Sequence, residues 1–270
     1  MRLTLIPSPF ALDQYRHSMG RAPEALLAHG LQESLEADGH TVAVVKRELD
    51  LGSGAVLQRI GRNDAILAEH VAAARRANSL PVVLGGDCLV SIGVVAGLRR
   101  ALDSDFGVAW FDAHGDFNTP ETTISGYLGG MPLACCCGRG LERLRETAGL
   151  DRPVSESNVI MLGIRDLDPP ERALLDTTPV RIFDPARTPS FIPDLRPTYL
   201  HFDIDALDPA IAPGVNYLTP NGLSLATALD AARKIKPHLA AFSLTAVDPE
   251  LDRNGKTAQT AIEIIRGVLK

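Results

Sequence analysis

The feature that most constrains the fold is a regular alternation of short apolar runs with stretches of helical periodicity. The apolar runs predict β-strands at 2–6, 41–46, 81–84, 107–112, 158–163, 179–183, 198–203 and 239–245. Apolar residues that recur every three or four positions predict helices at 22–37, 55–79, 89–101, 139–148, 169–177, 223–235 and 257–268. Strands that alternate with helices are typical of a mostly parallel sheet covered on both faces, so we expect a three-layer α/β/α fold.

The organisation of the chain favours a single domain over residues 1–270, because no linker, internal repeat or low-complexity segment interrupts the pattern. Apolar residues make up 45% of the sequence, which is enough for a sizeable core. The net charge is −6 and the basic residues are scattered, which argues against nucleic acid as a partner. No apolar run reaches about eighteen residues, so we expect no membrane span.

The cysteines and the N-terminus bear on the cellular compartment. Residues 1–7 predict a short first strand and lack the features of a signal peptide. Of the four cysteines, Cys135, Cys136 and Cys137 are adjacent and cannot easily pair with one another. This usage argues against a disulfide framework and predicts a reducing, cytoplasmic setting. We expect the three adjacent cysteines to pack in the core.

Polar residues follow the ends of predicted strands. Asp112, His114 and Asp116 come directly after the apolar run 107–111. In an extended backbone their two-residue spacing points all three side chains the same way. Gly-Gly-Asp-Cys at 85–88 ends another strand. Because function collects at the carboxyl ends of parallel strands, we expect these segments to meet at one edge of the sheet.

A second array places Asp203 and Asp205 after a further strand, with His201 before them. One Asp-x-Asp or Asp-x-His pair alone is more often a turn or a helix cap, but two arrays at strand ends favour metal binding. A buried carboxylate cluster stays ionised only when cations offset its charge. Carboxylates with one imidazole suit a hard cation such as Mn²⁺, so we predict two ions. His201 is interpreted as a core side chain; the alternative is that it approaches the metals from deeper in the strand.

Seven motifs follow one another along the chain: Gly-Gly-Asp-Cys at 85–88, Asp-Ala-His-Gly-Asp at 112–116, Asn-Thr-Pro at 118–120, Ser-Gly-Tyr-Leu-Gly-Gly-Met-Pro at 125–132, Gly-Ile-Arg-Asp-Leu-Asp at 163–168, Phe-Asp-Ile-Asp-Ala-Leu-Asp-Pro at 202–209 and Pro-Gly-Val-Asn-Tyr-Leu-Thr-Pro-Asn-Gly-Leu at 213–223. In this order they resemble the arginase, agmatinase and formimidoylglutamase family of ureohydrolases over nearly the whole chain. The fold of that family, a parallel sheet flanked by helices, agrees with the alternation of strands and helices.

The resemblance implies a binuclear manganese site with two Mn²⁺ ions per chain. Asp112 and Asp203 would bridge the ions, His114 and Asp205 would complete one shell, and the remaining ligands would complete the other. The implied reaction is metal-assisted hydrolysis of an amidino C–N bond, in which the ions lower the pKa of water. Asp116 would move a proton to the leaving nitrogen. The full implied ligand set is Cys88, Asp112, His114, Asp116, Asp203 and Asp205.

The resemblance also implies a small guanidino or amidino substrate with an amino-acid end, held by Asn118, Ser125 and Asp168. Asp168 suits a substrate ammonium, and Asn118 and Ser125 suit a carboxylate. Since Pro-Pro-Glu follows it at 169–171, Asp168 is an equally good candidate for a helix N-cap, and the two roles are compatible. Family members usually assemble as trimers, hexamers or larger, so a homo-oligomer is expected.

Three positions depart from the family pattern. Cys88 stands where the family has a metal-binding His; a thiolate suits Zn²⁺ or Fe better than Mn²⁺, so this site should be weaker for Mn²⁺ or take another metal. The alternative for Cys88 is a small buried side chain that binds nothing. Gly129 replaces a His associated with proton shuttling or substrate contact. Ala246 replaces a Glu that holds the guanidinium, and losing a charged partner costs ~1.5–3 kcal/mol, so arginine should be a poor substrate.

Cys88 together with Gly-Tyr-Leu-Gly-Gly-Met at 126–131 resembles the branch of the family that hydrolyses N-hydroxyarginine. A hydroxyguanidine is less basic than a guanidine and needs less proton help. We therefore expect an amidinohydrolase that acts on N-hydroxyarginine or a related compound. The alternative, favoured by the three departures, is a weak or inactive family member that binds a ligand or serves as an assembly scaffold.

Overall fold

The computed structural model describes residues 1–46, 51–183 and 197–270. The strands are β1 (Arg2–Ser8), β2 (Phe10–Ala11), β3 (Gln14–Tyr15), β4 (Thr41–Val44), β5 (Leu80–Gly85), β6 (Gly107–Phe111), β7 (Val159–Leu162), β8 (Arg181–Phe183), β9 (Thr198–Asp203) and β10 (Leu239–Thr245). Within the described part of the chain, eight of them form one sheet in the order β4-β1-β5-β10-β9-β6-β7-β8. Every neighbouring pair in this sheet is parallel, whereas β2 and β3 form a separate antiparallel pair.

Helices cover both faces of the sheet. They are α1 (Ala22–Ala28), α2 (Leu31–Ala37), α3 (Val56–Arg76), α4 (Val90–Ala101), α5 (Pro132–Cys136), α6 (Glu142–Ala148), α7 (Pro169–Leu175), α8 (Leu225–Ile235) and α9 (Lys256–Leu269). Helices α1, α2, α8 and α9 pack in one core, and α3, α4, α5 and α6 pack in the other. The three-layer α/β fold with a parallel sheet predicted from the sequence is confirmed.

The two cores follow from the two-residue repeat of the strands. In β5, Val82 and Leu84 face the core with α1 and α9, whereas Val83 faces the core with α3 and α4. In β6, Phe111 and Trp110 are divided in the same way. A strand that is buried on both faces carries apolar residues at successive positions, which explains the continuous apolar runs in the sequence.

The predicted strands are confirmed, with ends that differ by two residues or fewer. The single helix predicted over 22–37 is wrong, because the chain breaks it into α1 and α2 at Gly30. Gly30 has φ 82, a left-handed conformation that glycine adopts without steric cost and that an α-helix cannot contain. The sequence analysis also missed α5 and the β2–β3 pair, which are too short to show a periodic pattern.

The adjacent cysteines lie at the end of α5. Cys135 and Cys136 are buried and Cys137 is partly buried, and all are free thiols. The Cys136 Sγ lies 3.6 Å from Ser91 Oγ on α4. These positions agree with the predicted packing role. Separately, no helix in the described part of the chain is both long and apolar enough to cross a membrane.

Candidate metal centre and substrate pocket

The carboxyl ends of four adjacent central strands, β5, β10, β9 and β6, meet at one pocket of about 420 Å³. Cys88 follows β5, Asp112 follows β6, Asp203 ends β9 and Ala246 follows β10. All the site residues predicted from the sequence line this pocket: Cys88, Asp112, His114, Asp116, Asn118, Ser125, Asp168, Asp203 and Asp205. The parallel sheet brings them together because parallel strands end at the same edge.

Asp112 lies at the centre of the pocket floor and is almost fully buried. Its Oδ2 accepts a hydrogen bond from Trp110 Nε1 at 3.1 Å and lies 4.0 Å from Cys88 Sγ. Its Oδ1 accepts from the His114 backbone N–H at 2.7 Å and lies 3.3 Å from His114 Nδ1. The two oxygens of this carboxylate therefore face two different groups of potential metal ligands.

One group consists of Asp112, His114 and Asp205, whose potential ligand atoms lie within 4.8 Å of one another. His114 Nδ1 is 3.2 Å from Asp205 Oδ2, and Asp205 Oδ1 accepts from the Ala113 backbone N–H at 3.0 Å. Burial lowers the pKa of His114, but hydrogen bonds to Asp112 and Asp205 outweigh it and raise the pKa to about 12. Without a metal ion, the positive charge of protonated His114 therefore offsets the charges of the two carboxylates. A bound cation would supply that positive charge instead.

The other group consists of Cys88, Asp112 and His201, again within 4.8 Å of one another. Cys88 Sγ lies 3.0 Å from Asp203 Oδ2 and 3.4 Å from Thr245 Oγ1. Burial, reinforced by the charge of Asp203, raises the pKa of the Cys88 thiol well above its usual value. The thiol is therefore protonated and donates to Asp203 unless a metal ion displaces its proton.

His201 was interpreted from the sequence as a core residue. The stacking of its ring and the contacts of its Nδ1 atom agree with that interpretation. The ring is fully buried and stacks on Trp110 at 3.7 Å between centroids. Its Nδ1 lies 2.9 Å from Ser243 Oγ and 3.2 Å from the Tyr199 hydroxyl. The Nε2 atom, however, lies 3.3 Å from Cys88 Sγ, which agrees with the alternative that His201 approaches the metal site from deeper in the strand. Burial lowers the pKa of His201 to about 3, so the imidazole is neutral.

The expectation that Asp112, His114 and Asp116 leave one extended backbone on the same side is wrong at Asp116. Strand β6 ends at Phe111 and Asp116 has φ 49, so the three-residue array is not one extended segment. The chain turns back into the pocket at Asp116, whose Oδ2 is buried and has no hydrogen-bond partner among the described residues. Burial and the charge of Asp112 raise the pKa of Asp116 well above its usual value.

These observations test whether the residues fit divalent cations. An unpartnered buried carboxylate oxygen, a carboxylate shared between two ligand groups and carboxyl groups of raised pKa all mark a deficit of positive charge. Burial, followed by the charge of Asp205, raises the pKa of Asp112 to about 6. A cation is the group that would relieve this deficit, so the donor set fits a metal site.

The mouth of the pocket carries the residues proposed for the amino-acid end of the substrate. Asn118 is buried and its Oδ1 accepts from Thr122 Oγ1 at 3.0 Å, while Ser125 is exposed. Asp168 occupies the N-cap position of α7, but its side chain makes no capping hydrogen bond. The position agrees with the helix-cap interpretation, and the carboxylate remains available to the pocket.

Tyr127 occupies the space beside Gly129. A Cβ at Gly129 would lie 2.6 Å from Tyr127 Cζ and 2.7 Å from its hydroxyl oxygen, closer than real Cβ atoms come to any atom. Burial, then the charge of Asp87, raises the pKa of Tyr127, so the phenol keeps its proton. The pocket therefore has a neutral hydroxyl beside Gly129.

Sequence reasoning missed other groups that line the pocket. The Glu171 carboxylate is 3% exposed, and its Oε1 accepts from the Phe117 backbone N–H at 2.8 Å. Burial raises the pKa of Glu171 to about 7. Glu171 lies just beyond a matched motif, so only its position after Asp168 hinted at the pocket. The other missed lining residues include Asp87, Tyr127, Asp166 and Tyr217.

A parallel α/β sheet with a carboxylate-rich pocket at the ends of its central strands defines the class as an α/β protein with a candidate metal centre. The family model for the arginase family matches residues 1–270. The arginase of Bacillus subtilis strain 168 is 30% identical, over 99% of this chain and 97% of that protein. The chain belongs to the arginase family.

Solved structures agree with this assignment. The crystal structure of arginase from Bacillus subtilis has a TM-score of 0.90 and 30% identity, covering 100% of this chain and 98% of that one. The formimidoylglutamase of the same organism has a TM-score of 0.75 at 20% identity, with 99% of this chain and 85% of that chain covered. The second likeness concerns the fold alone.

Proposed function

We propose that this chain is a metal-dependent amidinohydrolase that cleaves the guanidino C–N bond of a hydroxyguanidine, with N-hydroxyarginine as the substrate. The observation that carries the proposal is the carboxylate of Asp112, which offers one oxygen to His114 and the other to Cys88. This is the arrangement that a bridging ligand needs. The rest of the pocket supplies matching groups on either side.

The residues that would hold one Mn²⁺ ion are His114 and Asp205, with Asp112 and Asp203 shared. The second ion would take Cys88 and Asp116 in addition to the shared carboxylates. When bound, such ions act as Lewis acids and make water more acidic. The thiol at Cys88 makes the second site the poorer one for Mn²⁺.

Asp116 is suited to carry the reaction's proton. Its Oδ2 is buried, unpartnered among the described residues and directed at the pocket, and its raised pKa favours uptake of a proton. A carboxyl group whose pKa approaches the working pH both accepts and returns a proton readily. Asp116 would take the proton released as water attacks and pass it to the leaving nitrogen.

The amino-acid end of the substrate would lie at the pocket mouth. Asp168 would pair with the α-ammonium, because its carboxylate makes no helix-capping bond. Asn118 and Ser125 would donate to the α-carboxylate, which is a charge-assisted contact.

The part of the pocket that would face the guanidino group favours a hydroxyguanidine over the guanidinium of arginine. Ala246 lines the pocket and offers no acceptor to a guanidinium cation. A hydroxyguanidine is less basic, so it binds without a carboxylate partner. The protonated hydroxyl of Tyr127 would then meet the polar N-hydroxy group.

The test is release of the amine product by the purified protein with added Mn²⁺: ornithine from N-hydroxyarginine and from arginine, putrescine from agmatine, and glutamate from formimidoylglutamate. We expect N-hydroxyarginine to exceed arginine in kcat/KM by at least about 10-fold, the value of one charged hydrogen bond. Asp112→Asn should abolish turnover, and the exposed Asp230→Asn should leave it unchanged. Metal-loaded protein that turns over none of the four compounds would contradict the proposal and favour a ligand-binding or assembly scaffold.

The family resemblance also supports a homo-oligomer as part of the proposal. Sedimentation of the metal-loaded protein tests it. A species with the mass of a single 28.9 kDa chain at all concentrations would oppose it.

A further inference from the structure

The imidazole that position 88 lacks is present nearby, on a different strand. His201 lies on β9, two residues before Asp203, so both side chains leave the same face of the strand. Its Nε2 reaches within 3.3 Å of Cys88 Sγ. The contact crosses β10, which lies between β5 and β9 in the sheet.

We propose that Cys88, His201 and Asp112 together ligate one metal ion, and that this mixed N, S, O site selects Zn²⁺ over Mn²⁺. The inference rests on the metal centre of the proposed function, but at the ion of Cys88 it gives His201 the place that the family resemblance gives to Asp116 and Asp203, and it changes the metal. The chain would then be a mixed-metal protein, with Zn²⁺ at this site and Mn²⁺ at the site of His114 and Asp205.

The spacing of the donor atoms supports one shared ion. With Zn–S of about 2.3 Å and Zn–N or Zn–O of about 2.0 Å, the donors of a tetrahedral site stand about 3.5 Å apart. Cys88 Sγ is 3.3 Å from His201 Nε2 and 4.0 Å from Asp112 Oδ2, and the donor atoms of these three residues lie within 4.8 Å of one another. The two distances from the sulfur bracket the tetrahedral value, and a fourth position is left for water, as in zinc sites with three protein ligands.

The surroundings of His201 hold its ring in a ligating orientation. Ser243 Oγ and the Tyr199 hydroxyl lie at hydrogen-bond distance from Nδ1, and the ring stacks on Trp110. A proton on Nδ1 leaves the Nε2 lone pair free and directed at the sulfur. Metal-binding histidines are oriented in this way by a partner on the other ring nitrogen. A packing role alone would explain the contacts of Nδ1 but not the position of Nε2 beside the Cys88 thiol and within 4.8 Å of an Asp112 carboxylate oxygen.

Zinc binding at this site would release the thiol proton of Cys88 to solvent, so that a Zn–S bond replaces an S–H bond and no oxidant is needed. The thiolate and the neutral imidazole are the softer ligands that favour Zn²⁺. The remaining site, with carboxylates and one imidazole, keeps the harder character that suits Mn²⁺.

Metal content after equilibrium dialysis against Zn²⁺ with excess Mn²⁺ is the first test. We expect one Zn²⁺ per chain in the wild-type protein, and a Zn²⁺ affinity lowered more than about 100-fold in Cys88→Ser and in His201→Gln, beyond the usual effect of an orienting partner. The matched controls are the partly buried Cys137→Ser and the exposed His17→Gln, which should both keep one Zn²⁺. Mn²⁺ at both sites of the wild-type protein would overturn the proposal.

Cobalt-substituted wild-type protein gives a test that needs no variant to fold. We expect a thiolate-to-Co²⁺ charge-transfer band and two paramagnetically shifted imidazole N–H signals. The signal of the fully buried His201 should persist in D₂O after that of the 27%-exposed His114 has exchanged. One imidazole signal, or no charge-transfer band, would overturn the proposal. Neither readout depends on turnover, so correct spectra without ornithine release from N-hydroxyarginine would refute the proposed function alone.

Discussion

The ring of Tyr127 fills the volume that a side chain at Gly129 would need, since a Cβ there would lie 2.7 Å from the Tyr127 hydroxyl oxygen. The two positions are therefore coupled, and the glycine is the partner that makes room for the phenol. The polar group on this wall of the pocket comes from residue 127 and not from residue 129.

A methyl group at Gly129 should act through Tyr127. Gly129 lies in a 3₁₀ turn, Leu128–Gly130, without the positive φ that would exclude alanine. Gly129→Ala should displace the ring and lower kcat/KM by about 2- to 10-fold, the value of one neutral hydrogen bond. The measurement is ornithine release from N-hydroxyarginine.

The control for this prediction is a double-mutant cycle with Tyr127→Ala. In that background the methyl group has no ring to displace, so Gly129→Ala should cost little more. Additive losses would mean that the two residues act independently.

A carboxylate at residue 246 should restore arginine as a substrate. Ala246 lies in the pocket and has no acceptor to offer a guanidinium. Ala246→Glu should raise kcat/KM for arginine by about 10- to 150-fold, which corresponds to ~1.5–3 kcal/mol for a charged hydrogen bond. Ala246→Gln adds similar volume without charge and should give a much smaller gain. Equal gains from both variants would argue for packing in place of charge pairing.

Asp116→Asn should separate the proton-transfer role from the fold. Asparagine tolerates the left-handed backbone at φ 49, so the turn should persist. Loss of an acid–base group costs about 10²- to 10⁴-fold, and kcat should fall accordingly. The melting temperature of the chelated protein should not fall, because the change removes a buried ionisable group. A kcat within about threefold of wild type would exclude Asp116 from proton transfer.

Glu171 should make the stability of the chelated protein depend on pH. Its pKa is raised from 4.5 to about 7 by burial, so the folded state favours the protonated form. The resulting stabilisation is fully present below about pH 4.5 and is lost as the pH rises through about 7. Glu171→Gln keeps the acceptor for the Phe117 N–H without the ionisation. Between pH 4.5 and 8, the wild type should therefore lose about 1–3 kcal/mol relative to this variant.

Denaturant unfolding at the two pH values measures this difference. The exposed Glu146→Gln on α6 is the matched control and should follow the wild type. A Glu171→Gln variant that follows the wild type over the same pH range would mean that Glu171 is ionised equally in the folded and unfolded states.

Much of the fold was predictable because it depends on local patterns. A strand buried on both faces is a run of apolar residues, and a helix on the sheet surface has an apolar stripe. The failures occur where a local pattern is too short or is interrupted by one residue. The β2–β3 pair and α5 are too short to be periodic, and Gly30 breaks a stretch whose apolar spacing continues across it.

The candidate site was predictable only in its membership. The motif at 112–116 and the aspartates after β9 were expected at one sheet edge, and they lie there. The expected reason for their convergence was partly wrong, because Asp116 reaches the pocket through a left-handed turn and Asp205 lies in a 3₁₀ turn. Side-chain direction beyond a strand end depends on how the loop packs, which two-residue spacing does not encode.

By itself, the sequence determined the layers of the fold, the edge at which the site forms and the residue types available there. Only the tertiary structure decided which of those residues touch. Cys88 meets His201 because β10 lies between β5 and β9 and its register pairs Ser243 with His201, although 113 positions separate the two residues in the chain. Local periodicity fixes the face on which a side chain lies, whereas strand order and register fix its neighbour on that face.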